Sequence, residues 1–315
     1  VKRSHLVCIV WLLSTFTLCA DAQQWQHYPQ SPRAQADAPN ILLVMTDDVG
    51  FGSSSTFGGL IPTPNLDKLA SEGIRYTQFH TTAMCSPTRA SLLTGRNHHA
   101  VNSGAIGNMS LDIEGYTSVI PPSAATIGKV LGANGYHTGW IGKNHNTPLW
   151  EDTPAGPFDR WPNGFGFDYF YGFNGSQTDQ FKPTLLENRN QVAVPDRPDY
   201  ILEQDLADHA ISWLRNQKAV SGDAPFLLYY APGTAHSPLQ APQQWLDRFK
   251  GEFDMGWDAM RSQICERQRG ANLVPDATPC TPRPSAIPAW SSLSADEQAF
   301  SRKLMEAYAA MLAFS

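Results

Sequence analysis

The sequence has no dense block of lysine or arginine, no internal repeat and no low-complexity segment. Because positive charge is not concentrated and the formal net charge is -6, we expect neither nucleic acid nor an anionic membrane surface as the main partner. At 315 residues the chain is long enough for one large domain with its own core, or for two smaller ones.

An apolar run at the start of the chain is too short to span a membrane. Residues 1–22 have the three parts of a secretory signal peptide: a charged start (Lys2, Arg3), an apolar stretch (6–18) and a small-residue cleavage site (20–22). The alternative is a membrane anchor, which needs about 20 apolar residues. We therefore expect a cleaved signal, no stable membrane span, and a periplasmic or secreted protein.

Cysteine is scarce, with five in the chain, and cleavage after residue 22 would remove two of them. Cys265 and Cys280 flank a loop rich in proline and polar residues, so a local disulfide and two unpaired thiols are both open. The third is Cys85. An odd count in an exported protein points to a free or modified thiol, which would be this one.

Strand-like and helix-like patterns alternate along the chain after a flexible lead-in at 23–38. We predict strands within 40–48, 74–82, 136–143 and 225–231, and helices within 63–73, 86–95, 123–135, 202–219 and 295–314. Residues 146–200 are expected to be rich in loops. This alternation predicts an α/β fold, with a largely parallel central sheet and helices on both faces. Ligands of such folds bind at the carboxyl ends of the strands.

The last helical segment opens with a capping box, Ser294 to Glu297. Its apolar positions fall on one helical face, namely Phe300, Leu304, Tyr308 and Met311. The chain stops inside this helix without a C-cap or a following strand. We therefore expect the domain at 39–315 to be a catalytic domain that is incomplete at its C-terminus.

Two groups of residues at predicted strand ends could carry chemistry. Asp47 and Asp48 close the first strand, either as solvated carboxylates or as two hard oxygen ligands for Ca²⁺ or Mg²⁺. Cys85 precedes a predicted helix start, with Ser86 as N-cap and Arg89 one turn on, which suits a thiolate nucleophile. However, the C-x-x-x-R spacing is too short for a phosphatase-type anion loop, and most free cysteines are small buried hydrophobes.

Taken as a block, CSPTRASLLTG (85–95) resembles the signature of the sulfatase family, in the alkaline phosphatase superfamily. Further stretches match in the family's order: PNILLVMTDDVGFG, TPNLDKLASEGIRYTQFH, GYHTGWIGKNH and AHSP. The resemblance covers residues 39–315 and implies a fold like that of alkaline phosphatase and the sulfatases.

The resemblance implies that Cys85 does not remain a thiol. In the family a maturation enzyme oxidises this cysteine to Cα-formylglycine, whose hydrated aldehyde supplies a gem-diol. One diol oxygen would attack sulfur and expel the alcohol, and the second hydroxyl would then allow sulfate to leave. Arg89 would hold the diol, at a helix N-terminus that favours an anion.

The remaining site residues follow from the same resemblance. Lys143 would bind a sulfate oxygen, His145 would contact the diol and act as the base, and His236 would be the general acid for the leaving group. Asn144 stands where the family usually has an aromatic residue, which places the local packing or the substrate rim in question.

A divalent metal is also implied, bound by Asp47, Asp48 and the diol at residue 85. The ion would be Ca²⁺, with Mg²⁺ as the alternative. These ligands leave the shell of about 6 to 8 oxygens incomplete, and the family's further ligands would lie beyond Ser315. The 315-residue chain is therefore expected to bind metal poorly, although a full-length parent would be active.

The implied function is hydrolysis of a small-molecule or glycan sulfate ester, after maturation by a formylglycine-generating enzyme. Two alternatives stay open: a phosphonate monoester or phosphodiester hydrolase of the same superfamily, and an inactive sulfatase-like fragment. The Lys143-x-His145 pair and the single implied metal favour sulfate. The aromatic segment 158–173 is open to two interpretations, as an entrance to the site or as core packing.

Overall fold

A six-stranded sheet forms the centre of the computed structural model, which describes residues 31–315. Its strands are β1 (Ile41–Val44), β2 (His137–Asn144), β3 (Tyr169–Asn174), β4 (Leu185–Glu187), β5 (Asn190–Val192) and β6 (Phe226–Ala231). They lie in the order β1-β6-β2-β3-β4-β5, and the first four strands of that order are parallel. The remaining pairs are antiparallel. The prediction of a largely parallel sheet is confirmed.

The predicted signal peptide at 1–22 and most of the lead-in lie outside the described residues. Seven α-helices accompany the sheet in residues 31–315: α1 (Pro64–Glu72), α2 (Cys85–Thr94), α3 (Ile127–Ala133), α4 (Leu202–Ser221), α5 (Gln243–Leu246), α6 (Gly256–Gly270) and α7 (Ala295–Phe314). None of these helices is long and apolar enough to cross a bilayer.

Both faces of the central strands are covered, as the alternating pattern predicts, whereas Leu42 and Val44 of the outer strand β1 are exposed. On one face α2 and α3 pack over Trp140, Phe170 and Tyr229, which are fully buried. On the other face α4 packs through Leu206 and Trp213. A third apolar cluster joins α5 and α7 beside the sheet. Burial on both faces explains why β6 is a continuous apolar run.

The strand predicted at 74–82 is absent: the segment is an extended loop that pairs with no strand in residues 31–315. Its apolar side chains Ile74, Tyr76 and Phe79 are exposed. β-Branched and aromatic residues favour a strand mainly by packing on a neighbouring strand. Without such a neighbour, the pattern of this segment does not produce one.

The start of α2 also differs from the prediction. The helix begins at Cys85, after Met84 as N-cap, and Ser86 makes no capping hydrogen bond. Instead, the Ser86 hydroxyl donates to the carbonyl of His145 at 2.7 Å. The Ser86 hydroxyl, which the sequence predicts as a helix cap, therefore bonds to a residue of another segment instead.

Residues 146–200 contain more regular structure than predicted, because β3, β4 and β5 all lie there. The aromatic segment 158–173 packs in the core rather than at an entrance, since Trp161, Phe167, Phe170 and Phe173 are buried.

Three expectations for the C-terminal part can be compared with the structure. Cys265, in α6, forms a disulfide with Cys280, which settles the open alternative in favour of the bridge. The capping box at Ser294 is present at the start of α7. The predicted apolar face of α7 is buried only toward its end: Phe300 and Leu304 are exposed, whereas Ala309, Ala310, Met311 and Leu312 are buried.

Candidate active site

The start of α2 meets the carboxyl end of β2. Cys85, the free cysteine of the described residues, has its sulfur 3.0 Å from Nδ1 of His145, within hydrogen-bonding distance. Since α2 packs over the sheet and β2 is central, their ends converge where open α/β sheets bind ligands. The predicted nucleophile and the predicted base therefore lie side by side.

Two further contacts tie α2 to the end of β2, and two more hold the turn that follows β2. The Ser86 hydroxyl donates to the His145 carbonyl, and the side-chain amide of Asn146 donates to the Ser86 carbonyl at 3.0 Å. Asn144 accepts from the backbone N–H of Asn146 at 3.1 Å and donates to Thr147 at 2.8 Å. Asn144 is fully buried, so it shapes this turn rather than a substrate rim.

Two cations meet one carboxylate beneath Cys85. Lys143 Nζ donates a short hydrogen bond to Asp47, and Nη2 of Arg89 lies 3.6 Å from the same carboxylate oxygen. All three side chains are buried. Arg89 also donates to the Tyr229 hydroxyl at 3.1 Å, while its Nε and Nη2 have no hydrogen-bond partner within residues 31–315. The Arg89 guanidinium therefore keeps donors available for an anion.

Burial sets the protonation of the base. It lowers the pKa of His145 to about 3, with help from the positive charges of Lys143 and Arg89. Burial also lowers the pKa of Lys143, as does Arg89, against the opposing pull of Asp47. A neutral imidazole beside residue 85 is the form that can accept a proton.

The loop after β6 completes the arrangement. The backbone N–H of Asp47 donates to the Thr234 carbonyl at 2.6 Å, and the Ala235 N–H donates back to the Asp47 carbonyl. This exchange holds the loop against the end of β1. His236 Nε2 then lies 3.8 Å from the Asp48 carboxylate. The predicted general acid thus stands next to the second acidic residue.

The acidic and nucleophilic side chains of the site line an open cleft of about 570 Å³. Asp47, Asp48, Cys85, Thr88 and Arg89 line it. Lys143 and His145 do not line it, because they lie buried beneath. A larger cavity of about 820 Å³ lies against α7 and carries none of the predicted catalytic side chains.

The donor set fits a hard divalent cation in type but not in number. Asp47 and Asp48 offer carboxylate oxygens, the ligands that Ca²⁺ and Mg²⁺ prefer. Asp48 has φ 54°, a left-handed conformation that asparagine and aspartate tolerate, and its side chain is mostly exposed. Within residues 31–315, no group of three or more His, Cys, Asp or Glu side chains could hold a metal ion.

All seven predicted site residues lie near the end of the sheet where the parallel strands finish, and they form two subsets. Cys85, Arg89, Lys143, His145 and Asp47 form the buried centre, and Asp48 and His236 form the outer pair. Sequence reasoning missed Tyr229, whose hydroxyl holds Arg89, and the link made by Asn146. In the sequence, Tyr229 is one aromatic residue of an apolar predicted strand, and nothing there marks it as part of a site. Its register beside Trp140 becomes visible once the sheet is formed.

Comparison with known proteins points to one family. The model of the Sulfatase family matches residues 39–315. An arylsulfatase of Klebsiella aerogenes is 31% identical over 294 residues, which cover 89% of this chain and 60% of that protein. This chain thus spans less than two thirds of that relative's length.

Two solved structures resemble this chain. The structure of yidJ from Bacteroides fragilis superposes with a TM-score of 0.63 at 21% identity, covers 90% of this chain and 57% of its own, and supports the fold alone. BT4656, solved in complex with its substrate D-glucosamine-2-N,6-O-disulfate, gives a TM-score of 0.51 at 27% identity over 67% of this chain and 37% of its own. On the family match over 39–315, the chain belongs to the sulfatase family.

Proposed function

We propose that the whole protein hydrolyses sulfate esters and that residue 85 is its nucleophile. The observation that carries the proposal is the contact between Cys85 Sγ and His145 Nδ1 at 3.0 Å, directly above the buried Arg89, Lys143 and Asp47 cluster. A nucleophile, a neutral base and two cations are the parts that transfer of an anionic sulfuryl group requires.

Members of the sulfatase family generally use formylglycine and a divalent metal. We infer that Cys85 is converted to formylglycine by a maturation enzyme, so its sulfur marks the position of the reacting oxygens. The hydrated aldehyde supplies an attacking oxygen and a second hydroxyl that later lets sulfate leave. His145 takes a proton at Nδ1, and Arg89 holds the group at residue 85 through its free donors.

The leaving alcohol needs a proton, and sulfate needs compensation for its charge. We assign the proton to His236, whose Nδ1 lies 2.8 Å from the Ser237 carbonyl and whose Nε2 lies 3.8 Å from the Asp48 carboxylate. Lys143 is assigned to a sulfate oxygen. Its ammonium is bonded to Asp47 in this structure, so substrate oxygens would share that donor.

A divalent cation, Ca²⁺ with Mg²⁺ as the alternative, would be held by Asp47, Asp48 and residue 85. Their convergence on one cleft and their hard oxygen donors support this assignment. The bound ion would add positive charge next to the sulfate oxygens.

Small-molecule and glycan sulfate esters are the proposed substrates, and export to the periplasm or the cell exterior is the proposed localisation. The disulfide between Cys265 and Cys280 supports export, because such bonds persist in oxidising compartments.

The function is tested with the full-length protein, matured in cells that make the maturation enzyme, on an aryl sulfate and an aryl phosphodiester side by side. Faster turnover of the sulfate is expected, and Cys85→Ala should abolish it while leaving the circular dichroism spectrum unchanged. Faster phosphodiester turnover would favour the related phospho-hydrolase. Sulfate turnover retained by Cys85→Ala would overturn the assignment of the nucleophile.

A further inference from the structure

A buried carboxylic acid that the mechanism above does not use lies beneath the loop that carries His236. Glu203, in the first turn of α4, is 3% exposed. Its Oε1 accepts from Gln180 Nε2 at 3.1 Å, and its Oε2 has no hydrogen-bond partner within residues 31–315. Such a group is costly to bury, so its position calls for a physical reason.

The groups that face Glu203 belong to the loop after β6. The hydroxyl of Thr234 and the backbone N–H groups of Gly233 and Thr234 lie near the carboxyl, and the buried Thr234 hydroxyl has no hydrogen-bond partner within residues 31–315. A methyl group in place of hydrogen on Gly233 would lie 3.8 Å from Glu203 Oε1 and 3.3 Å from the Phe173 ring. Glu203 and Phe173 therefore lie directly against the loop at Gly233.

The same loop connects to the reaction centre on its other side. Thr234 accepts from the backbone of Asp47, Ala235 donates to it, and His236 follows. Thr234, which lies near Glu203, is thus part of the backbone clamp on Asp47, and His236 is two residues further along the loop. A shift of the loop at Thr234 would move both.

Gln180 fixes Glu203 from the remaining side. Its carbonyl accepts from the Leu202 N–H at 2.8 Å, and its own N–H donates to Gln240 Oε1 at 2.8 Å. Gln180 therefore joins the start of α4 to the chain just beyond His236. These contacts form one polar support under the loops at the carboxyl ends of β3 and β6.

We propose that Glu203 is a positioning residue, which holds the 233–236 loop so that His236 faces the leaving group. The inference rests on the proposed function, in which His236 protonates that group. Burial raises the pKa of Glu203, against the hydrogen bond from Gln180 and the nearby polar groups of Thr234 and Gly233. A neutral carboxyl has the shape and hydrogen-bonding capacity of a glutamine side chain, so that substitution should preserve the support.

The test measures kcat and KM of the full-length protein on aryl sulfates whose phenols range from acidic to weakly acidic. Glu203→Leu should lower kcat about 10- to 100-fold for the weakly acidic phenols, and much less for the acidic ones, which leave without a proton. KM should change little. Glu203→Gln should restore most of the loss, and Glu203→Leu should add nothing to His236→Ala.

Asp205→Asn is the matched control. Asp205 is a buried carboxylate two residues along α4, but it accepts from Tyr171 and Tyr200 and does not touch the loop. Its loss should lower thermal stability without changing the dependence on the leaving group. An equal loss of kcat across the phenol series, or a loss additive with His236→Ala, would overturn the proposal. Thr234→Val gives the same comparison if Glu203→Leu does not fold.

A second readout does not depend on turnover. The imidazole NMR resonances of His236 should shift in Glu203→Leu and stay unchanged in Asp205→Asn. If the wild type hydrolyses no sulfate ester, the proposed function fails while this readout still decides the role of Glu203. Unchanged His236 resonances in Glu203→Leu contradict that role.

Discussion

The sulfur of Cys85 lies 3.0 Å from Nδ1 of His145, although 60 residues separate the two in sequence. The sheet brings them together, because α2 begins at the edge where β2 ends. Burial and two neighbouring cations lower the pKa of His145 to about 3, so its imidazole is neutral at pH 7, which is the form that the proposed base requires.

Ser86 should be needed to keep this geometry. In Ser86→Ala the buried carbonyl of His145 loses its donor, which should cost about 1–3 kcal/mol of unfolding free energy. Activity of the full-length protein should fall as well, since His145 is no longer held. Urea unfolding and kcat measure the two effects. Ser71→Ala, which removes an exposed hydrogen bond to Lys68, should change neither; a wild-type-like Ser86→Ala would show that this contact does not order the site.

Metal binding should stabilise the mature full-length protein through Asp48. At 100-fold excess of Ca²⁺ over Kd, binding adds about 2.7 kcal/mol to the unfolding free energy, and Asp48→Asn should lose much of it. Thermal denaturation with and without Ca²⁺ measures the difference. Asp276→Asn, at an exposed carboxylate that does not line the cleft, is the control. An equal response to Ca²⁺ in both variants would remove Asp48 from the proposed ligands.

The bridge between Cys265 and Cys280 closes a 15-residue separation. In the chain-entropy model a loop of this length contributes about 3 kcal/mol, so replacing both cysteines by serine should lower the unfolding free energy by roughly that amount. Reductant should destabilise the wild type and leave the double variant unchanged. Equal stability of the two proteins without reductant would mean that the bridge does not form.

A pH effect is expected at His209, which stacks on the Tyr171 ring at 3.5 Å. Burial lowers the pKa of His209, but hydrogen bonds to Asp205 and its charge outweigh burial and raise it overall. The protonated form is therefore favoured in the folded state. Its stabilisation is complete below the unfolded pKa of about 6.5 and is lost as pH rises through the folded pKa.

Urea midpoints measured from about pH 6 to pH 9 check this sign. The stability difference between wild type and His209→Gln should be largest at the acidic end and shrink toward the alkaline end. With Asp205→Asn as background, the pH dependence of that difference should disappear. A difference that grows with pH would contradict the assignment.

Much of the fold follows from local pattern. Apolar runs predict β1 and β6, and the segment 136–143 is also predicted as a strand where β2 lies. Amphipathic periodicity predicts α4 with nearly its observed bounds. The segment 74–82 fails because strand propensity depends on a neighbour that the described sheet does not provide. β3 is hidden among the aromatic residues of 158–173, whose pattern suits a buried loop as well as a buried strand.

The site could be predicted in its residues but not in its contacts. Asp47, Cys85 and His145 come from motif resemblance, whereas the carboxylate shared by Lys143 and Arg89 requires the assembled sheet. Glu203 carries no sequence signal, because an acidic residue in a first helical turn is ordinary at any surface. Only its burial beneath the His236 loop distinguishes it.

The chemical state of residue 85 tests the account most directly. A full-length preparation that hydrolyses an aryl sulfate is digested with trypsin, and the peptide 76–89 is weighed by mass spectrometry. We predict a peptide that is lighter than the cysteine form by the mass difference between hydrogen sulfide and an oxygen atom. The fraction of this lighter peptide should be proportional to specific activity. An unmodified thiol throughout a fully active preparation would contradict it.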